Sequence, residues 1–284
     1  GPYTSKVMTE KLEADVRSRG VEILDGLQAI RLLVQQEHIR AVLCLDLHQT
    51  HDTGTPCYQL LFCENCILAT GGPAGIYQDS VYPQSQLGSS GLAFEAGIRG
   101  KNLTEWEYGM ASLSPRWNVS GTYMQVLPRV VSTAEDGSDE REFLLDFFGD
   151  AGHMQSMLFL KGYQWPFDVN KIFGGSSIFD LLVYRERCLL GRRVFLDYRT
   201  NSQGRGIDFS GLCREAFEYL HSAHACFGTP IQRLKHMNQP AVDFYKEHGV
   251  DLHAQMLEIA ICAQHNNGGL ATDSHWQTNV GGVY

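Results

Sequence analysis

Short β-rich segments occupy both ends of this chain, and a segment of different character separates them. From about residue 21 to 70, runs of aliphatic and β-branched residues alternate with polar turns, which is typical of strands. From about residue 114, aromatic residues and long loops dominate, and the β-and-glycine texture returns near the C-terminal end. The order predicts an α/β (α+β) fold in which residues 114–255 are inserted between two pieces of one domain, 1–113 and 256–284.

Hydrophobic spacing predicts the individual elements. Val7, Leu12 and Val16 fall near helical spacing, so we expect a helix over residues 4–19, ended by Gly20. The other predicted helices are 90–97, 177–190, 209–225 and 240–248. The predicted strands are 21–24, 29–34, 39–45, 57–62, 66–70 and 194–198.

The charge balance limits the class of ligand. The chain carries 32 Asp and Glu residues against 23 Lys and Arg, a formal net charge of −9. Binding to nucleic acid needs clustered basic residues, so this composition argues against it. No apolar run approaches the ~18–20 residues of a membrane-spanning helix, and the first residues show no signal segment. We expect a cytoplasmic protein that acts on a small molecule, with no nucleic acid and no membrane span.

Cysteine and histidine patterns predict no metal site. Eight cysteines are too few for a disulfide scaffold. Cys63 and Cys66 have the C-x-x-C spacing of a redox pair or half a zinc site, but no second C-x-x-C exists, and one extended strand would point them to opposite faces. His221 and His224 share a predicted helix face, where a solvated helix end is the alternative to metal binding.

Two glycine-rich motifs are candidates for a binding site. In Ala69-Thr70-Gly71-Gly72 an apolar strand ends in two residues whose backbone can approach a flat ligand or a phosphate closely. In residues 264–269 the imidazole of His265 precedes two Asn and two Gly, a composition that suits a tight turn. An ordinary strand-to-turn exit and a polar hairpin turn with an incidental histidine are the alternatives.

The order of these motifs resembles the flavoprotein family of fumarate reductase, succinate dehydrogenase and L-aspartate oxidase. Residues 69–72 look like that family's A-T-G-G strand, and residues 265–269 look like its H-x-x-G-G turn. Residues 280–284 are similar to the V-x-G-L-Y/F that follows, and residues 87–93 to a G-D-G stretch that opens a helix. The match covers nearly the whole chain, and the shared order makes it more specific than any single motif.

The resemblance implies an FAD-dependent oxidoreductase that exchanges a hydride between FAD and a small, carboxylate-bearing substrate. It implies a partial Rossmann-type FAD-binding domain with an inserted capping domain, and an iron–sulfur protein or another electron-transfer protein as partner. His265 would be the catalytic residue. The residues that the resemblance assigns to the cofactor are Ala69, Thr70, Gly71, Gly72, Gly268 and Gly269.

The chain also departs from the family. It lacks the G-x-G-x-x-G that holds the pyrophosphate, and it stops where the family continues A-A-G-E. We therefore expect a fragment that binds FAD weakly or not at all on its own and is inactive alone. Met110 falls about where fumarate-handling members carry a histidine, and Phe179 stands where they carry a proton-donating arginine. The alternative function is thus a non-catalytic, flavoprotein-like binding module.

Overall fold

A computed structural model of the chain describes residues 4–83 and 88–284. Its mixture of helices and sheets confirms the predicted α/β class. The α-helices are α1 (Thr4–Ser18), α2 (Leu47–Thr53), α3 (Ser90–Glu95), α4 (Thr122–Gln125), α5 (Phe143–Phe148), α6 (Ala151–Lys161), α7 (Ile178–Tyr184), α8 (Arg214–Ser222) and α9 (Pro230–Glu247). The strands are β1 (Leu27–Gln35), β2 (His38–Asp46), β3 (Cys57–Phe62), β4 (Gly100–Lys101), β5 (Trp106–Leu113), β6 (Arg116–Asn118), β7 (Arg129–Thr133), β8 (Arg193–Asp197), β9 (Leu257–Asn266) and β10 (Gly269–Leu270).

The described residues group into two compact units. The first unit contains residues 4–75, 88–106 and 265–284, and the second contains 76–83 and 107–264. The chain therefore leaves the first unit twice, over residues 76–83 and 107–264, and returns to it each time. The sequence predicted boundaries at residues 113 and 256. The observed boundaries follow residues 106 and 264, so each lies at the opposite end of β5 or β9 from the predicted one. Most of both strands belongs to the second unit because they are neighbours in its sheet.

An antiparallel three-stranded sheet, β1-β2-β3, forms the larger sheet of the first unit. Leu32 pairs with Val42, and Val42 pairs with Leu61. The sheet contributes to a core that also contains residues from α3 and from the C-terminal segment. The buried members of that core are Leu32, Ile39, Ala93, Ile98, Val280 and Val283.

Two sequence predictions in this unit are wrong. Residues 21–24, predicted as a strand, form none in the structure, and Val21 and Leu24 are exposed because no neighbouring strand pairs with them. Residues 47–53, which lie in the polar segment between the predicted strands 39–45 and 57–62, form α2 rather than a turn. Asp46 starts this helix because its Oδ1 accepts a hydrogen bond from the Gln49 backbone N–H at 2.9 Å.

Two apolar surfaces of the first unit are exposed. The predicted helix over residues 4–19 is present as α1, but none of its residues is buried. It has i,i+4 ion pairs such as Arg17–Glu13. On β3, alternate side chains point outward, so that Tyr58, Leu60 and Phe62 are exposed, Phe62 by 81%.

A short parallel backbone ladder joins residues 66–68 to the C-terminal segment. The Cys66 N–H donates to the Gly282 carbonyl oxygen at 2.7 Å, and the Tyr284 N–H donates to the Cys66 carbonyl oxygen at 2.9 Å. The Leu68 N–H continues the pattern, donating to the Tyr284 carbonyl oxygen at 2.8 Å. Residues 66–70, predicted as a strand, therefore form no regular strand; they pair only through this short ladder, around the isolated parallel bridge Cys66–Val283.

A five-stranded sheet in the order β6-β5-β9-β8-β7 forms the framework of the second unit. Val131 of β7 pairs with Phe195 of β8, which in turn pairs with Glu258 of β9. Side chains of this sheet pack with helices α4 to α7 and α9 in the largest apolar core of the described residues. Within the described ranges, no helix is long and apolar enough to cross a membrane.

The helix predicted from residue 240 in fact begins at Pro230. Thr229 and Gln232 form a capping box at its start, so Pro230 occupies the first turn, where a proline is well tolerated. Pro240 lies inside the same helix, just after a break in helical backbone at Asn238, whose φ is −158°. The sequence prediction, 240–248, therefore covered only the second half of this helix.

We expect Gly282→Ala to destabilise the first unit strongly. Gly282 has φ 75°, and an added Cβ would lie 2.3 Å from the Glu64 carbonyl oxygen. The left-handed backbone costs about 1–2 kcal/mol, and the steric clash adds about 1–3 kcal/mol. Urea denaturation measures the change in the free energy of unfolding.

Gly54→Ala is the matched control, because Gly54 has φ 69° and an added Cβ there meets nothing within 4 Å. It bears the backbone cost alone. Equal losses for the two variants would show that the contact with Glu64 is relieved at little cost.

Candidate functional site

A pocket of about 340 Å³ in the first unit is lined by the two glycine-rich motifs. Residues 70–72 contribute to its wall, and so do Asn266, Gly268 and Gly269. The other lining residues are Leu68, Pro73, Ser89, Ser90, Leu270, Thr272, Trp276 and Tyr284. None of these lining side chains is charged, so hydroxyl, amide, backbone and aromatic groups face the ligand space.

The first glycine turn, at residues 71 and 72, packs tightly against Gly88, which lies two residues before the start of α3. Gly71 has φ 74°, and Gly88 has φ 71°. A Cβ at Gly88 would lie 2.9 Å from the Gly72 carbonyl oxygen. Glycine at position 88 therefore lets the chain pass close to the turn and brings Ser89 and Ser90 to the pocket wall. Leu87, the first residue of the predicted 87–93 motif, lies outside the described residues.

The second turn is fixed by bonds to residues 103–105. The Asn266 side-chain amide donates to the Leu103 carbonyl oxygen at 3.0 Å, and the Asn267 N–H donates to the Glu105 carbonyl oxygen at 2.8 Å. The Asn266 Oδ1 also accepts from the Gly268 N–H at 2.6 Å. Asn266 thus holds both its own turn and the neighbouring segment.

The two glycines of this turn have different roles. A Cβ at Gly268 would lie 2.0 Å from the Asn102 carbonyl oxygen, so the close approach of two backbones requires glycine there. A Cβ at Gly269 would meet nothing within 4 Å. Gly269 therefore leaves open space beside the pocket, which a ligand can use.

Trp276 contributes a strained and exposed aromatic group to the wall. Its φ is 65°, a conformation that bulky residues rarely adopt, and its side chain is 76% exposed. Asp273 holds the loop, because its Oδ1 accepts from the His275 N–H at 2.8 Å and the Gln277 N–H at 3.0 Å. These bonds lower the pKa of the Asp273 carboxyl group. Backbone strain of this kind is concentrated at functional sites.

This one pocket is lined by five of the seven residues predicted for the site, namely Thr70, Gly71, Gly72, Gly268 and Gly269. The other two, Ala69 and His265, do not line it. His265 is half-buried, and its Nε2 lies 3.0 Å from the Asn267 Oδ1.

Several lining residues were not assigned to a site from the sequence. Ser89 and Ser90 were recognised only as part of a motif that opens a helix. Nothing in the sequence predicted that Trp276 would line the pocket. Its left-handed backbone is set by the surrounding loop, which neither composition nor residue spacing reveals.

The cysteine and histidine pairs form no metal site within the described residues. No group of three or more His, Cys, Asp or Glu side chains there is arranged to hold a metal ion. Burial, and then the neighbouring Cys63, raises the pKa of the Cys66 thiol. A raised pKa reduces the thiolate fraction, so Cys66 lacks the activation of a redox cysteine.

In the second unit, the two residues at which the sequence departs from the family's pattern lie in the apolar core. Phe179 and Met110 are both fully buried in the core. Beside Phe179, Asp180 forms a buried ion pair with Lys161, which the sequence gave no means to predict. Burial raises the pKa of Asp180 to about 6 and lowers the pKa of Lys161. The second oxygen of Asp180, Oδ1, has no hydrogen-bond partner among the described residues.

No protein-family model and no curated protein matches the chain. Solved structures do match its fold. A quinol–fumarate reductase with menaquinol molecules is 15% identical, with a TM-score of 0.57 over 96% of this chain and 41% of that chain. Sdh1 of Mycobacterium smegmatis in complex with UQ1 is 13% identical, with a TM-score of 0.53 over 97% of this chain and 39% of that chain. An open conformation of a flavocytochrome c3 fumarate reductase is 11% identical, with a TM-score of 0.50 over 97% of this chain and 48% of that chain.

These matches establish a shared fold. The chain has the fold of part of these oxidoreductases, and it spans less than half the length of each. Identities of 11–15% are too low to carry activity or residue roles from one protein to another.

We expect Asp180→Asn to destabilise the second unit by about 3–5 kcal/mol, because it leaves the Lys161 ammonium buried without a carboxylate. The double variant Lys161→Met/Asp180→Leu removes both charges and should lose less. Urea denaturation of the two variants makes the comparison. If the double variant is the less stable of the two, the pair contributes more than charge compensation, and our interpretation is wrong.

Proposed function

We propose that this chain is part of an FAD-dependent oxidoreductase and that the pocket of the first unit holds a portion of the FAD. The observation that carries the proposal is the meeting of residues 70–72 with Gly268 and Gly269 in one pocket. The resemblance assigned both segments to the cofactor. The fold shared with fumarate reductases supports the same assignment.

The chemistry of the wall suits a flat, uncharged ring system. Its volume of about 340 Å³ lies at the lower end of ordinary ligand pockets, so it would take one portion of FAD. Thr70, Ser89 and Ser90 offer hydroxyl groups to ring oxygen and nitrogen atoms, and Trp276 offers an aromatic face. The absence of charge among the lining residues favours the ring portion over the pyrophosphate.

His265 is our proposed catalytic residue. It directly precedes the pocket-lining Asn266, at the end of β9. An imidazole can donate a hydrogen bond to a substrate carboxylate in either protonation state and can move a proton. Bound FAD would supply the hydride chemistry. An iron–sulfur protein or another electron-transfer protein would then exchange electrons with the flavin.

A non-catalytic flavin-binding module is the second candidate function. The burial of Phe179 and Met110 favours it, because neither core side chain can donate a proton where the resemblance calls for an arginine and a histidine. The two candidates share the cofactor and differ in turnover.

We expect Gly269→Val to lower flavin affinity at least about tenfold, because the added side chain occupies open space at the pocket wall. The measurement is the ratio of flavin to protein absorbance after purification of the protein from its complete gene. Gly206→Val is the control, since a Cβ there also meets nothing within 4 Å and Gly206 lies in the second unit. Full flavin content in the Gly269→Val protein, or none in the wild type, would rule out this pocket.

We expect His265→Gln to lower turnover on the order of 10²–10³-fold while FAD stays bound, because glutamine cannot move a proton as imidazole does. Candidate substrates are small dicarboxylates, and the assay follows flavin absorbance under single-turnover conditions. Flavin lost from the variant would make His265 structural. Wild-type protein that binds FAD and reacts with no substrate would favour the non-catalytic module.

A further inference from the structure

Arg233 of α9 is fully buried, and every hydrogen-bond acceptor of its guanidinium group is neutral. Its Nε donates to the Val126 carbonyl oxygen at 3.0 Å, and its Nη1 donates to the carbonyl oxygens of Phe227 and Gly228 at 2.8 and 2.7 Å. Its Nη2 donates to the Asn201 Oδ1 at 3.0 Å. These four acceptors serve four of its five N–H groups.

Such a cation is unusual, because buried charges in proteins are normally paired with an opposite charge. The neutral oxygens satisfy most of the hydrogen bonds and leave the net charge uncompensated. Burial accordingly lowers the pKa of Arg233 to about 10. By contrast, the buried Lys161 has the carboxylate of Asp180. A negative group placed close to Arg233 would therefore be strongly favoured.

An open pocket of about 460 Å³ lies against this guanidinium group. Three of its lining residues contact Arg233 directly. Asn201 and Gly228 accept its hydrogen bonds, and the ring centroid of Phe209 lies 5.7 Å from its Cζ. The charged group therefore lies directly behind the wall of the pocket.

The pocket lining itself adds a second positive charge and no negative one. Arg205 is an exposed lining residue, and its side chain forms no hydrogen bond or ion pair with the described residues. Two acidic residues, Asp208 and Glu142, lie next to the loop, but neither lines the pocket. Asp208 Oδ1 accepts from the Ser210 hydroxyl at 2.6 Å, and Glu142 Oε1 accepts from the Gln203 N–H at 2.9 Å.

The attraction for an anion does not come from the start of α9. Thr229 and Gln232 cap that helix, and the Ile231 N–H donates to the Tyr198 carbonyl oxygen at 2.8 Å. These first N–H groups are therefore occupied. The two guanidinium groups are the source of positive potential at the pocket.

We propose that this pocket is a second ligand site, which binds a small organic anion with a phosphate or carboxylate group. Arg205 contacts the anionic group, Arg233 compensates its charge from behind the wall, and Ile207 and Phe209 pack against the apolar part of the ligand. The first pocket, with its uncharged wall, takes a different class of ligand, so this site is separate from the proposed flavin function.

Isothermal titration with phenyl phosphate, benzoate and inorganic phosphate tests the proposal. We expect saturable binding of phenyl phosphate or benzoate; the tighter of the two identifies the anionic group. Inorganic phosphate should bind more weakly than phenyl phosphate, because it lacks the apolar part. No saturable binding of either aromatic anion overturns the proposal, and equal binding of the two phosphates overturns the role of Ile207 and Phe209.

Variants locate the binding. Arg205→Gln should weaken it about tenfold, as expected for the loss of one charge-assisted contact, and Gly206→Val should weaken it by filling open space at the lining. Arg31→Gln, on β1 of the first unit, removes the same charge elsewhere and should leave the affinity unchanged. Wild-type affinity in the Arg205→Gln protein, or an equal loss in the Arg31→Gln protein, overturns the site.

Discussion

The parallel ladder between residues 66–68 and 282–284 is the constraint on which the first unit depends. Its hydrogen bonds join segments separated by most of the chain, with the whole second unit in between. Closing the very long loop between these segments costs conformational entropy before any of the hydrogen bonds can form. The pairing must therefore be supported by the burial of apolar side chains. Val280 and Val283 supply this support, because both are buried against Leu32 and Ile39 of the sheet. Residues 70–72 continue directly from the ladder, and their place in the pocket follows from it.

Local patterns predicted nine of the nineteen α-helices and strands of the described residues, and long-range packing decided the others. The β1-β2-β3 meander and α7 follow from hydrophobic spacing, because each element buries the face that its own residues mark. Residues 21–24 have an equally β-like composition and form no strand, since composition cannot supply a pairing partner. Of the pocket, the glycines could be predicted because a turn and a close backbone approach require them. The strained backbone of Trp276 and the uncompensated charge of Arg233 could not, because each is set by residues distant in the sequence.

The two pockets differ in the charge of the residues around them, and the two buried cations, Lys161 and Arg233, differ in whether a carboxylate neutralises them. The pocket of the first unit has no charged residue among its lining residues, whereas the pocket beside Arg233 combines an exposed arginine with a buried one. In the same unit, Lys161 is neutralised by Asp180 within the core. A buried cation with an internal carboxylate has little to gain from a ligand. A buried cation without one keeps a long-range attraction for any anion that reaches the neighbouring pocket.

The exposed row on β3 has a consequence for the behaviour of the chain in solution. β3 is the end strand of its sheet, and Cys57–Phe62 is a six-residue segment with no charge and no proline. Segments of this composition stack edge to edge into dry, interdigitated sheets when they are left uncovered. Among the described residues nothing covers the outward side chains of Tyr58, Leu60 and Phe62. Aggregation of the chain at high concentration would therefore start at this strand, and a lysine in place of Leu60 would oppose it.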